Sequence, residues 1–246
     1  MLMSETMNKL RALRLNGFSE ALQIQQEQES YQELSFEERL GLLVDWEYNK
    51  RQQNKLERLI KQAKFQNSTA CIEDVKYTQG RKLDRDFILE LASCNYIQHA
   101  KNVIVVGATG AGKSFLAQAL GQAACRHYFS TRYIQLPDLL DDFKLARAKG
   151  PEVFRRLRKQ YLDFSLLILD EWLLFPIDEE DSQLLLSLID RRHCHKSTII
   201  VSQFEPPEWL DQIPIPVAAE SITDRLASQA YKIILQGEQS MRSATD

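Results

Sequence analysis

The chain lacks any apolar stretch long enough to cross a membrane. Residues 1–30 are charged and Gln-rich, with no secretory apolar segment. Together these two absences predict a cytoplasmic protein. Cysteine is sparse. Cys71, Cys94, Cys125 and Cys194 are scattered without a C-x-x-C pair, which predicts reduced thiols and not a disulfide framework. The run His193-Cys194-His195 has no partner cluster after it, which argues against a metal site there. The net charge of −3 excludes a uniformly basic surface, so any nucleic-acid contact must come from local patches. Glycine is scarce too, with none between Gly150 and Gly237.

Three glycines do stand close together, in Gly107-Ala108-Thr109-Gly110-Ala111-Gly112-Lys113-Ser114. The apolar run Val103–Val106 precedes them and a helix-like run, Phe115 to Tyr128, follows. This is the strand–loop–helix context of a phosphate-binding P-loop. Its glycines let successive N–H groups point inward at anionic oxygens, and the positive end of the helix adds to that field. Lys113 is expected on the β- and γ-phosphates of a nucleotide, and the Ser114 hydroxyl on Mg²⁺.

A second site follows in Leu166-Leu167-Ile168-Leu169-Asp170-Glu171. A buried strand ending in paired acids is the Walker B pattern, with Asp170 supporting the metal and Glu171 polarising the attacking water. A third is the strand end Ser202-Gln203, where Gln203 first, and Ser202 next, is placed to sense the γ-phosphate. An arginine is also needed for phosphoryl transfer. Arg225 follows a Pro-rich loop, Arg191 and Arg192 end a helix, and Arg242 lies near the C-terminus.

Residues 1–65 read as helices, with an amphipathic pair broken near Gly17. Ser35-Phe36-Glu37-Glu38 is a capping box that opens a longer helix. Leu40, Leu43, Val44, Tyr48, Leu56, Leu59, Ile60 and Ala63 follow at helical spacing along it. Residues 83–99 read as one further helix. From residue 102 short β-branched runs alternate with helical segments, which argues for a parallel sheet with strands at 102–106, 131–136, 165–169, 197–202 and 231–235. Two basic patches stand out. One includes Lys50, Arg51, Lys55 and Arg58, the other Arg155 and Arg156, and both are candidates for DNA phosphate contact.

With these residues in place the chain resembles the IstB family, the ATP-dependent helpers of insertion-sequence transposition, and more distantly the DnaC helicase loaders. The resemblance covers nearly the whole chain. It is carried by Leu13–Gly17, Phe36–Leu40, the P-loop, Leu169-Asp170-Glu171, Leu188–Arg192, Ser197–Ile200, Glu208-Trp209, Asp224–Leu226 and Gly237–Arg242. It implies an α/β P-loop NTPase of the AAA+ class, a five-stranded parallel sheet preceded by a small N-terminal helical domain. The organisation it implies is an N-terminal helical, DNA-binding domain over 1–66, a linker and helix over 67–99, and an ATPase domain over 100–246 with little or no C-terminal lid. It also implies ATP and Mg²⁺ as cofactors, DNA-stimulated hydrolysis and a homo-oligomer on double-stranded DNA. That assembly would deform the target and recruit a cognate transposase of the IstA type. Arg225 would be the arginine supplied to a neighbouring subunit and Arg242 a second sensor. Helicase loading of the DnaC kind is the alternative. Gln203 stands where related loaders usually have Asn, and one extra residue precedes Met241-Arg242.

Overall fold

The structure is a computed structural model and describes residues 2–77 and 83–236. Two compact units divide between Arg58 and Leu59.

The first unit holds α1 (Leu2–Ala12), α2 (Asn16–Glu27), a 3₁₀ turn at Glu29–Glu33 and most of α3 (Phe36–Ala63). Ser35 and Glu38 form the expected capping box: Ser35 N–H donates to Glu38 Oε2 at 2.8 Å and Glu38 N–H to Ser35 Oγ at 3.3 Å. The break between α1 and α2 falls at residues 13–15, ahead of Gly17. Gly17 instead lies in the first turn of α2, where a Cβ would stand 3.1 Å from the Glu47 backbone. Glu47 in turn accepts the Phe18 N–H at 3.0 Å. Along α3 the buried apolar side chains are Leu43, Leu59 and Ala63, whereas Leu40, Val44 and Tyr48 are exposed. Helical spacing defines a face about half the helix wide; burial takes only a stripe of it.

The second unit is built on the five-stranded parallel sheet. Its strands are β1 (Val103–Gly107), β2 (Thr131–Gln135), β3 (Leu166–Asp170), β4 (Ser197–Ser202) and β5 (Tyr231–Leu235), in the order β2-β3-β4-β1-β5. All four ladders are parallel, and β4 lies between the P-loop strand β1 and the acid-bearing strand β3. The strands read as continuous apolar runs because the central ones are covered on both faces. Leu166 and Ile168 enter one core and Leu167 and Leu169 the other.

On the first face pack α4 (Arg85–Ala92), α5 (Asn95–Gln98) and α6 (Lys113–Arg126). On the second face pack α7 (Leu136–Ala148), α8 (Pro151–Asp163), α9 (Glu179–Arg192) and α10 (Pro216–Ala227). The helix expected over 83–99 is thus two, broken at Cys94, which is left-handed at φ 64°. Ala70, Ile72, Val75, Ile88 and Leu91 join the first core. Gly121 lets α6 press onto β3, since a Cβ there would meet Ile168 Cδ1 at 2.7 Å.

Arg192, at the end of α9, is 1% exposed. Its guanidinium donates to the carbonyls of Tyr161 (2.8 Å), Phe164 (2.9 Å) and Ser197 (2.6 Å) and to Thr198 Oγ1 (3.3 Å). Burial pulls its pKa down to about 9, which leaves it charged at neutral pH. Arg192 is therefore a strut between α8, α9 and β4. Buried in this way, it cannot be an arginine offered to a neighbouring subunit. Arg191 beside it is exposed.

Candidate active site

The C-terminal ends of parallel strands are where α/β sheets build their sites, because the loops diverge there. In this chain β1, β3 and β4 end around one cavity of about 530 Å³, lined among others by Thr109, Gly110, Gly112, Lys113, Ser114, Asp170, Glu171 and Gln203. The three motifs, far apart in the sequence, meet there.

The loop after β1 turns through Gly110 and Gly112 at φ 81° and 86°, conformations open to glycine and costly for other residues. It delivers the chain to α6, whose N-terminal amides are not satisfied by the helix itself. Lys113 is 9% exposed and its Nζ donates to Ala108 O at 2.9 Å, so the ammonium arches back over the loop. Thr109 Oγ1 donates to Gln203 Oε1 at 3.0 Å, which joins the loop to the end of β4. Ser202 behaves differently. It is 1% exposed, its Oγ donates to the Trp172 carbonyl (3.0 Å), and it accepts Phe204 N–H (3.1 Å) and Trp209 Nε1–H (3.3 Å). Of the two polar groups ending this strand, Gln203 is the one left to meet a ligand.

Asp170 is the last residue of β3 and is 3% exposed. Its Oδ1 accepts the Glu171 N–H at 2.8 Å and its Oδ2 the Tyr133 hydroxyl at 2.6 Å. Glu171 itself is left-handed, at φ 53°. Such a backbone persists only when its surroundings over-determine it. Here Asp170 holds the amide before the side chain, and Trp172 anchors the residue after it. Trp172 is fully buried, its N–H donates to Val201 O at 2.9 Å, and its ring packs edge-on to Trp209 at 5.8 Å between centroids. The Glu171 carboxylate is thereby thrust out of the strand, where Gln135 Nε2 donates to it at 2.9 Å. Partial burial, then the charges of Asp170 and Asp138, raise its pKa above the ordinary carboxylate value.

Tyr133 and Gln135, both on β2, do not stand out in the sequence. Gln135 sits beside Asp170 in the strand register. A polar residue ending a parallel strand is the signal that could have found it. Asp74, Lys76 and Phe115 also line the cavity.

The described candidate arginines do not line this cavity. Arg225, on α10, donates from Nε to Asp190 Oδ1 at 3.0 Å and from its guanidinium to Ser221 O at 3.1 Å, and it does not line the cavity. Arg242 lies outside the described residues. Of the basic patches, Lys50 pairs with Glu20 and Arg51 with Glu47, both inside the first unit. Lys55 and Arg58 lie on α3, where Lys55 is exposed. On α8, Arg155 and Arg156 are exposed, while Arg158 stacks on Phe154 at 5.7 Å.

A model for the IstB-like ATP binding protein family matches residues 8–246. The chain belongs to that family. It is 41% identical over 203 residues to an insertion sequence IS1162 putative ATP-binding protein of Pseudomonas fluorescens, covering 82% of this chain and 87% of that one. It is 36% identical to the putative insertion sequence ATP-binding protein y4pL of Sinorhizobium fredii, with 99% and 98% covered. Among solved structures, the DnaC helicase loader superposes with a TM-score of 0.59 at 17% identity, covering 68% of this chain and 97% of that one. AMPPCP-bound DnaA from Aquifex aeolicus gives 0.59 at 18%, covering 72% of this chain and about half, 53%, of that one. At such identities the likeness is one of fold, and the fold is that of the AAA+ P-loop proteins. The family is one of ATP-binding proteins, and the P-loop residues Lys113 and Ser114 of this member line the cavity at the ends of β1, β3 and β4.

Proposed function

We propose that this IstB-like protein is a DNA-stimulated ATPase that assembles on target duplex during transposition. In that assembly it deforms the DNA and recruits a transposase. The observation that carries the reading is the meeting of Lys113, Ser114, Asp170, Glu171 and Gln203 around one cavity. A nucleotide-binding module without turnover would have no use for a second acid pushed out of its strand and held by Gln135. The loop from Gly107 through Ala108, Thr109, Gly110, Ala111 and Gly112 cradles the phosphates, and Lys113 neutralises them. Ser114 and the buried carboxylate of Asp170 line the same cavity and suit a hard divalent cation, so they would hold Mg²⁺. The ion would balance charge building on the β- and γ-phosphate oxygens. Glu171 orients and deprotonates water, and Gln203 reports the γ-phosphate to β4.

No arginine lines the cavity among the described residues. Arg225 of a neighbouring copy supplies the missing cation in this reading, and Arg242 contributes from its own chain. That requirement ties hydrolysis to oligomerisation. The transposition role is favoured over helicase loading because relatives of 36–41% identity are named for insertion sequences, whereas the DnaC likeness is one of fold alone. Steady-state ATPase with and without duplex tests the reading; a purified chain indifferent to both would end it.

The exposed Arg155 and Arg156 are the better DNA contacts, because Lys50 and Arg51 already have carboxylate partners. Replacing Arg155 and Arg156 by Ala should reduce the salt slope of duplex binding by about 2, close to one unit for each phosphate no longer neutralised. An unchanged slope would place the DNA surface elsewhere.

The raised pKa of Glu171 puts the acid limb of the turnover profile at higher pH than an unperturbed carboxylate would. Asp138→Asn removes one repelling charge, so the Glu171 pKa falls and activity persists to lower pH. The acid limb should move toward lower pH, and only modestly, because Asp138 is exposed and its charge is screened. A profile unmoved by Asp138→Asn would detach that aspartate from Glu171.

A further inference from the structure

We propose that Tyr133 is a positioning residue for the metal-bearing carboxylate: its hydroxyl fixes Asp170 so that Mg²⁺ binds with the nucleotide. This rests on the ATPase reading above.

The argument begins with the strand register. On β2, Gln135 lies opposite Asp170 and Tyr133 opposite Ile168. Tyr133 packs in the same core as Ile168, on the α6 side of the sheet. Its ring runs along that face and brings the hydroxyl 2.6 Å from Asp170 Oδ2. The residue is 3% exposed, and a buried phenol needs an acceptor. Two acceptors are in reach, Asp170 at 2.6 Å and Gln66 Oε1 at 3.3 Å. The single proton goes to the nearer, charged one, since hydrogen bonds to ions are shorter and stronger. Burial, and then the Asp170 charge, raise the phenol's pKa well beyond the physiological range, so it remains a donor throughout.

A carboxylate has about four lone-pair sites and turns easily about its terminal torsion. Asp170 has one oxygen pinned by the Glu171 amide and the other by Tyr133. Two donors on two oxygens fix its plane and leave about half its acceptor capacity for a cation and the cation's water. Partners behind a metal ligand commonly set affinity by roughly 10–100-fold, by fixing ligand orientation. The Tyr133 donor comes to Asp170 from β2. Tyr133 is not among the residues that line the cavity, so it acts through the carboxylate.

The test is Tyr133→Phe, which keeps the ring and deletes the hydroxyl. Binding of Mn²⁺ to the full chain with a non-hydrolysable ATP analogue, followed by electron paramagnetic resonance, should weaken by about tenfold. Affinity for the analogue in chelator should not change, and turnover should recover at high Mg²⁺. Titrations in the cold, near the temperature of maximum stability, keep the comparison on folded protein. Asp170→Asn is the reference and should lose the metal outright. Wild-type Mn²⁺ affinity in Tyr133→Phe, with the metal lost in Asp170→Asn, overturns the role of Tyr133. Wild-type affinity in both variants removes Asp170 from the metal and overturns the metal-site reading itself.

Discussion

Glu171→Gln is expected to cut ATP turnover by about 100–1,000-fold while ATP remains bound. The lost function is that of a general base, and such groups contribute on the order of 10²–10⁴ in rate. Binding should survive because the proposed site gives the phosphate contacts to the loop after β1 and to α6, not to Glu171. Glutamine keeps the size of the side chain and an acceptor for Gln135, so the left-handed turn at φ 53° has no new reason to relax. The variant should therefore accumulate in its ATP-bound form, and on DNA it should persist as an assembly. Rapid-quench turnover beside equilibrium nucleotide binding separates the two effects. Turnover within about threefold of wild type would remove Glu171 from the chemistry and leave Asp170 or solvent as the base.

Arg192→Ala carries the largest expected loss of stability. The substitution leaves the carbonyls of Tyr161, Phe164 and Ser197 facing a void, each of them formerly held at 2.6–2.9 Å. A buried acceptor stripped of its donor costs about 1–3 kcal/mol. Three such groups, partly rescued by water entering the void, should lower stability by at least about 3 kcal/mol. For a domain of this size that corresponds to a fall in Tm of roughly 6–12 °C. Arg191→Ala, one position away on the exposed side, should move Tm by about 1 °C or less. Calorimetry of the two variants decides the matter. Equal Tm values would mean that the guanidinium is not the strut its contacts describe.

The pair Arg191–Arg192 also illustrates what a sequence can and cannot carry. Both arginines end α9, and the helical repeat alone gives no reason to bury one of them. The decision belongs to the carbonyls left open at the end of α8 and the start of β4, the former well upstream in the chain. Lys50 and Arg51 show the same limit. Their spacing declares a basic helix face, yet Glu20 and Glu47 have already claimed them, and Glu20 is thirty positions away. By contrast the strands were legible almost to the residue. Apolar β-branched runs are a local property, and a parallel sheet buried on both faces demands them. The P-loop and the acid pair were legible because their chemistry fixes residue type at fixed spacing. Tyr133 was not, because a tyrosine in an apolar strand looks like core until its hydroxyl is found against Asp170. The helix at 83–99 failed for a simpler reason. Its apolar periodicity runs on through Cys94, where the backbone turns left-handed.

The Trp172–Trp209 contact has an optical consequence. The chain has three tryptophans; Trp46 is exposed on α3, and the other two are fully buried against one another at the exits of β3 and β4. Trp172 directly follows Glu171, and Trp209 is tied to Ser202, the last residue of β4 and the one before Gln203. The blue-shifted part of the intrinsic emission therefore arises beside the loops that carry Glu171 and Gln203 and not from the scaffold at large. The protein carries its own spectroscopic gauge of whether those loops have moved.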